Sequence, residues 1–243
     1  IIFLKGITSD YPDLHDEQTE VVSIFVNSPM TEKELNYFPN IKHIATRSTG
    51  YDHIDTILAA VRGVTISSVP AYGENTVAEF AFALLLTVSR KMNECLKKVQ
   101  DDGLFSQDGL RGFDLKGRTI GILGTGHIGI HAIRIAKGFE MNVIAFDAFP
   151  KENLAQELGF TYVSFDELLA QSDVVSMHLP YMKETHHIIN TENIHKMKKG
   201  SVVINTARGG LIETAALVRG LREGILRGIG LDVLEEEGYI EDE

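Results

Sequence analysis

A short apolar run, Thr119-Ile120-Gly121-Ile122-Leu123, leads without a break into Gly124-Thr125-Gly126-His127-Ile128-Gly129 and then into a segment with helical spacing. Nothing else in the chain constrains its fold as tightly. Three glycines at this spacing between a strand and a helix suit a phosphate-binding turn. Gly124 takes the tight turn, Gly126 leaves the backbone open to a pyrophosphate, and Gly129 lets helix and strand pack closely. The helix N-terminus adds unpaired N–H groups that favour an anion. Gly124, Gly126, His127, Ile128 and Gly129 are therefore candidate cofactor contacts. Asp147 ends the next apolar run, about 20 residues further on, where a carboxylate can accept both ribose hydroxyls of an adenosine. The same carboxylate repels a 2′-phosphate, so the expected cofactor is NAD and not NADP.

Five short apolar runs, 119–123, 142–146, 173–178, 201–205 and 228–232, alternate with helix-like segments at 127–138, 164–171, 191–197 and 212–223. Strands apolar on both sides belong in a parallel sheet covered on both faces, and the alternation predicts a doubly wound α/β sheet. The first third reads as a smaller parallel α/β unit, with strands at 1–4, 21–27, 43–47 and 64–69 and helices at 31–37 and 55–62. Residues 5–20 are polar and weakly patterned where a crossover helix is expected, which suggests that residues are absent there. Between the two series, Thr76-Val77-Ala78-Glu79 reads as a capping box. It opens a long helix whose body, residues 80–86, is apolar on nearly every side. Such a helix is predicted to be buried all round and to suit a seam between domains.

Composition narrows the function. A net charge of -11 argues against nucleic acid, whose phosphates it would repel. The longest apolar run, 77–86, is short for a bilayer and contains Glu79, and no basic region precedes the first apolar residues, so neither a membrane span nor secretion is expected. Cys95 is the sole cysteine, which excludes an intrachain disulfide and points to a reducing cytoplasm. No histidine cluster has metal-ligand spacing. His127 and His131 read as exposed or cofactor-flanking, and the adjacent His186 and His187 point apart. No metal is expected.

From Arg47 onward further motifs appear in order: Arg47-Ser48-Thr49-Gly50-Tyr51-Asp52, Val69-Pro70-Ala71-Tyr72, His178-Leu179-Pro180, Asn205-Thr206-Ala207-Arg208-Gly209-Gly210, and Leu231-Asp232 followed by Glu237. With the glycine turn and Asp147, they make the chain resemble the D-isomer-specific 2-hydroxyacid dehydrogenases, and among these most of all the D-lactate dehydrogenases. The resemblance covers roughly residues 41–237. It implies two α/β lobes with the active site in their cleft: a smaller flavodoxin-like substrate domain at 1–92, lacking its C-terminal part, and a Rossmann domain at 93–243. It further implies that Thr49 and Gly50 offer backbone donors to the substrate carboxylate and that Tyr72 lines the substrate pocket. Leu179, Pro180, Thr185, Thr206, Ala207 and Arg208 border the cofactor, and Asp232 holds the nicotinamide carboxamide. Arg208 matches the catalytic arginine, whose guanidinium can pair with the substrate carboxylate and polarise the reacting carbonyl. Glu237 matches the carboxylate that keeps a catalytic histidine protonated.

That histidine follows the glutamate by a few tens of residues in the family. This sequence ends at Glu243, and none of its nine histidines stands there, so the expectation is a fragment of a longer enzyme. The implied activity is NAD-dependent interconversion of a D-2-hydroxy acid and a 2-oxo acid, with D-lactate and pyruvate preferred. Glyoxylate/hydroxypyruvate or phosphoglycerate reduction belongs to the same family, although a phosphorylated substrate calls for more basic residues near Thr49. A rival class is a non-catalytic NAD sensor, like the transcriptional corepressors that share the fold. The segment at 96–111 resembles the family's dimer-contact arm, so a homodimer is expected.

Overall fold

The computed structural model describes residues 1–235, which form two compact units dividing at Gly73 and Glu74. The first unit contains three parallel strands in sequential order: β1 (Val21–Ile24), β2 (His43–Thr46) and β3 (Thr65–Ser67). Crossovers carry the short helices α1 (Glu32–Leu35) and α2 (Thr56–Val61). Both helix starts follow local chemistry. The Glu34 carboxylate accepts the Thr31 N–H at 3.1 Å, and Asp55 accepts from Leu58 N at 2.9 Å. Ile24 and Ile44 join Met30, Leu35, Phe38 and Ala59 in one core. Residues 1–4 are exposed and lie in no strand, contrary to expectation. An apolar run makes a strand only where a neighbour accepts its backbone hydrogen bonds, and no strand among the described residues pairs with this one.

The second unit opens with α3 (Glu74–Arg90) and α4 (Met92–Gln100). Then come β4 (Thr119–Leu123), α5 (His127–Gly138), β5 (Asn142–Phe146), α6 (Glu152–Leu158), β6 (Thr161–Tyr162), α7 (Phe165–Gln171) and β7 (Val174–Met177). The series closes with β8 (Ser201–Asn205), α8 (Thr214–Arg222) and β9 (Leu226–Leu231). All six strands are parallel, in the order β6-β5-β4-β7-β8-β9. This is the doubly wound dinucleotide-binding order, and its direction reverses between β4 and β7. Every residue of β7 and β8 is buried, because helices cover both faces. Ala132, Ile133 and Ala136 of α5 join α3 residues in one core, and Leu168, Leu169 and Leu217 of α7 and α8 in the other.

Helix α3 corrects two expectations. It starts at Glu74, so Thr76 lies inside the helix and does not cap it. It also buries one stripe, Ala78, Ala81, Phe82, Leu85 and Ser89, while Phe80 is 43% exposed. The stripe packs on α5, β8 and β9. Glycines in β9 permit the approach, since a Cβ on Gly228 would stand 2.6 Å from Val88 Cγ1 and one on Gly230 2.9 Å from Leu84 Cβ. The helix therefore packs with the second unit, and the division precedes it, where the motifs suggested 92/93. The expected helix at 191–197 is only a 3₁₀ turn, Ile194–Lys196. No helix among the described residues is long and apolar enough to cross a membrane.

Candidate active site

Strand order reverses between β4 and β7, the place at whose C-terminal ends open α/β sheets bind ligands in a crevice, and the motifs of the second unit lie along that edge. Gly124 leaves β4 with φ +95°, a conformation disfavoured for other residues, and donates its N–H to the Phe146 carbonyl at 2.9 Å. A Cβ there would meet the His178 carbonyl oxygen at 2.6 Å. Gly129 packs α5 onto the strand so tightly that a Cβ would fall 2.0 Å from the Gly124 carbonyl oxygen. Gly126, which precedes the first residue of α5, is different. A Cβ on it would meet nothing within 4 Å among the described residues beyond its chain neighbours. Protein packing thus explains the glycines at 124 and 129, whereas the open space at 126 fits a ligand passing close to the backbone. His127 and Ile128 follow in the first turn of α5.

Asp147, half-buried just beyond β5, is fixed from three sides. Its Oδ2 accepts from Thr125 N at 2.6 Å and Thr125 Oγ1 at 2.8 Å, and its Oδ1 from Phe149 N at 2.9 Å. Burial disfavours the charge. The hydrogen bonds from Phe149 and Thr125, with the nearby Lys151 ammonium, outweigh it and hold the carboxyl below its ordinary pKa. The Tyr162 hydroxyl, 2.8 Å from Thr125 Oγ1, accepts from Lys151 N at 3.2 Å. Thr125 and Tyr162 were not singled out from the sequence. Thr125 is a variable position within the glycine turn, and Tyr162 lies on a two-residue strand that the apolar pattern does not reveal.

Across the reversal, Leu179 sits over the glycine turn, its Cδ2 3.1 Å from a Cβ built on Gly124. Pro180 follows it, exposed. Thr185 knits this loop together, donating to Pro180 O at 2.7 Å and accepting from Met182 N at 2.8 Å. His178 follows β7, with Nε2 2.9 Å from Ser176 Oγ. Although part of its surface reaches solvent, burial of the imidazole pushes its pKa from the ordinary 6.5 to about 4.

At the end of β8, buried Asn205 shapes the next loop: Oδ1 accepts from Ala207 N at 3.0 Å, and Nδ2 donates to Arg208 O at 2.9 Å. Thr206 is buried, and its Oγ1 has no hydrogen-bond partner among the described residues. A hydroxyl left so beside the crevice fits a polar ligand group. Half-buried Arg208 donates from Nη1 to Ala207 O at 2.8 Å. Exposed Asp232 follows β9 and donates its N–H to Asn205 O at 3.0 Å. Glu237 lies outside the described residues.

Thr49, Gly50 and Tyr72 belong to the first unit. Past β2, the Ser48 hydroxyl donates to Gly50 O at 2.7 Å, and exposed Thr49 donates from Oγ1 to Val69 O at 3.0 Å. This ties the loop after β2 to the segment after β3. Tyr72 is 59% exposed, so it is no part of that unit's core. No group of three or more His, Cys, Asp or Glu among the described residues could hold a metal ion.

The family model for the NAD binding domain of D-isomer specific 2-hydroxyacid dehydrogenases matches residues 82–243. A 2-hydroxyacid dehydrogenase homolog of Haemophilus influenzae is 40% identical over 91% of this chain and 67% of its own length. A glyoxylate reductase of Thermococcus litoralis is 37% identical over 93% of this chain and 70% of its own. Among solved structures, D-lactate dehydrogenase from Aquifex aeolicus complexed with NAD and lactic acid superposes with a TM-score of 0.86 at 37% identity, covering 98% of this chain and 73% of that one. The chain spans about two thirds of the length of the curated relatives it matches.

The glycine geometry separates two substitutions. Gly129→Ala should lower stability by about 1–3 kcal/mol, because backbone must move. Gly126→Ala should leave the denaturation midpoint unchanged and weaken NADH. Urea unfolding and NADH fluorescence titration measure the two, and equal destabilisation would refute the distinction. For His178, the unfolded chain takes up a proton before the folded one as pH falls. Its stabilisation is whole above about 6.5 and is lost between about 6.5 and 4, some 3 kcal/mol in all. The stability difference between the parent and His178→Gln should therefore shrink across that window; a difference constant with pH would contradict it.

Proposed function

The chain belongs to the D-isomer-specific 2-hydroxyacid dehydrogenase family, and on that premise we propose that the protein exchanges hydride between NAD and a D-2-hydroxy acid, with D-lactate and pyruvate as its pair. The observation that carries this reading is an ionised, anchored Asp147 and a half-buried Arg208 on one C-terminal sheet edge. When bound, the nicotinamide supplies or takes the hydride at C2. Everything else falls to the protein's own side chains and backbone.

In this reading the second unit is the cofactor domain and the first the substrate domain. Asp147 accepts the ribose hydroxyls, while the turn formed by Gly124, Gly126, His127, Ile128 and Gly129 faces the pyrophosphate. Leu179, Pro180, Thr206 and Ala207 border the cofactor. Thr185 does so by holding its loop, since its hydroxyl already bonds Pro180 and Met182. Asp232 takes the carboxamide. Arg208 pairs with the substrate carboxylate and polarises the carbonyl, Thr49 and Gly50 donate backbone N–H groups to that carboxylate, and Tyr72 lines the pocket. Glu237 keeps a catalytic histidine protonated. His178 is not that proton donor, because a pKa near 4 leaves it neutral where the ketone is reduced.

Similarity to the Thermococcus litoralis glyoxylate reductase supports a second reading, with glyoxylate as the oxo acid. Helix α4 supports a homodimer. It buries none of its residues, and Met92, Leu96 and Val99 are exposed together with Leu104 and Phe105 beyond it. A reducing cytoplasm suits the lone Cys95.

The test is NADH oxidation by the full-length protein with pyruvate, glyoxylate, hydroxypyruvate and bulkier 2-oxo acids. Pyruvate should give the highest kcat/KM. Arg208→Lys should lower it by about 100-fold or more while NADH binding holds, because lysine lacks the two-pronged geometry. NADH binding with no turnover of any oxo acid would leave only a sensor. Asp147→Asn should weaken NADH and narrow the preference over NADPH; an unchanged preference in coenzyme titrations would remove Asp147 from the ribose site.

A further inference from the structure

Glu74, the first residue of α3, reaches the first turns of α5. Its Oε1 stands 2.9 Å from His127 Nδ1 and its Oε2 3.8 Å from His131 Nε2. The two histidines are four residues apart and share one helix face. Exposure is uneven across the cluster. The Glu74 side chain is 16% exposed, with Oε1 shut off from solvent, whereas the His127 side chain is 82% exposed. No well-aligned hydrogen bond reaches Oε1 among the described residues, and the His127 ring is the polar group set against it.

We propose that Glu74 is a positioning residue for the cofactor: it holds the His127 ring at the mouth of the glycine turn, where the ring meets the pyrophosphate. This inference rests on the NAD reading above. An exposed histidine is otherwise free among rotamers, and a ring held before binding loses less entropy when the ligand arrives. His131 stands farther off, 3.8 Å from the second oxygen and beyond hydrogen-bond reach.

A purely structural role is the competing account, because an acid in the first turn of α3 also favours that helix's dipole. Ligand dissection separates the two. In the full-length protein, NADH, ADP-ribose and adenosine are titrated against the parent, Glu74→Gln, His127→Gln and the double variant. Glu74→Gln should weaken NADH and ADP-ribose about fivefold and leave adenosine, which has no pyrophosphate, unchanged. The loss should appear in KM for NADH and not in kcat. In the His127→Gln background Glu74→Gln should add nothing. Equal losses for adenosine, additive losses in the double variant, or tighter NADH binding by Glu74→Gln would overturn the proposal. His127→Gln, at an exposed position, keeps the test valid should Glu74→Gln unfold; unchanged NADH affinity there would also overturn it. A parent that fails to bind NADH would overturn the cofactor reading itself and this inference with it.

Discussion

The close approach of α5 to β4 is the contact on which the second unit depends. Gly129 comes so near the Gly124 carbonyl that no Cβ fits between them, and Gly124 escapes the strand through positive φ. Together they turn the chain within a few residues and aim the start of α5 across the sheet edge. Strand β4 then lies in the middle of the sheet, with β5 and β6 added on one side and β7, β8 and β9 on the other. Loops at the β4 and β7 ends therefore part, and every later motif in the unit inherits its position from that parting.

The fold was legible wherever burial on two faces makes strands continuously apolar. The runs containing β7 and β8 stand out because no position in either strand touches water. What was not legible depended on partners distant in sequence. Helix α3 reads as apolar all round, yet only one stripe is covered, and which stripe depends on two glycines in β9, far along the chain. Residues 1–4 have strand composition without a pairing neighbour. Strand β6 is two residues long, too short for any periodicity, and is held by its pairing with β5.

The same division runs through the site. Spacing alone was enough to pick out the glycine turn and Asp147, because both answer to the geometry of a strand, a turn and a helix. Their supporting residues were hidden. Thr125 looks like filler between two glycines, but its N–H and hydroxyl both bind the Asp147 carboxylate and stabilise its charge. Asn205 looks like the last residue of an apolar strand, but its amide binds the backbone of Ala207 and Arg208 and so shapes the loop just past Thr206. Glu74 carried no motif of its own, and only the folding of α3 against α5 brings it to the histidines.

An acidic chain that binds an anionic cofactor presents an apparent contradiction, and its resolution is one of distance. At physiological ionic strength charges beyond about 8 Å are largely screened, so a net charge of -11 says little about the field inside a crevice. There the nearest groups decide. The start of α5 contributes unpaired N–H groups and the positive end of its dipole, with no neighbouring Cβ at Gly126 to hold a phosphate away. The two nearby carboxylates are both engaged: Asp147 accepts hydrogen bonds from Thr125 and Phe149, and Glu74 faces two imidazoles. Each carboxylate thus has polar partners or neighbours of its own. The chain can stay acidic on its surface while backbone donors gather at the start of the helix that follows the glycine turn.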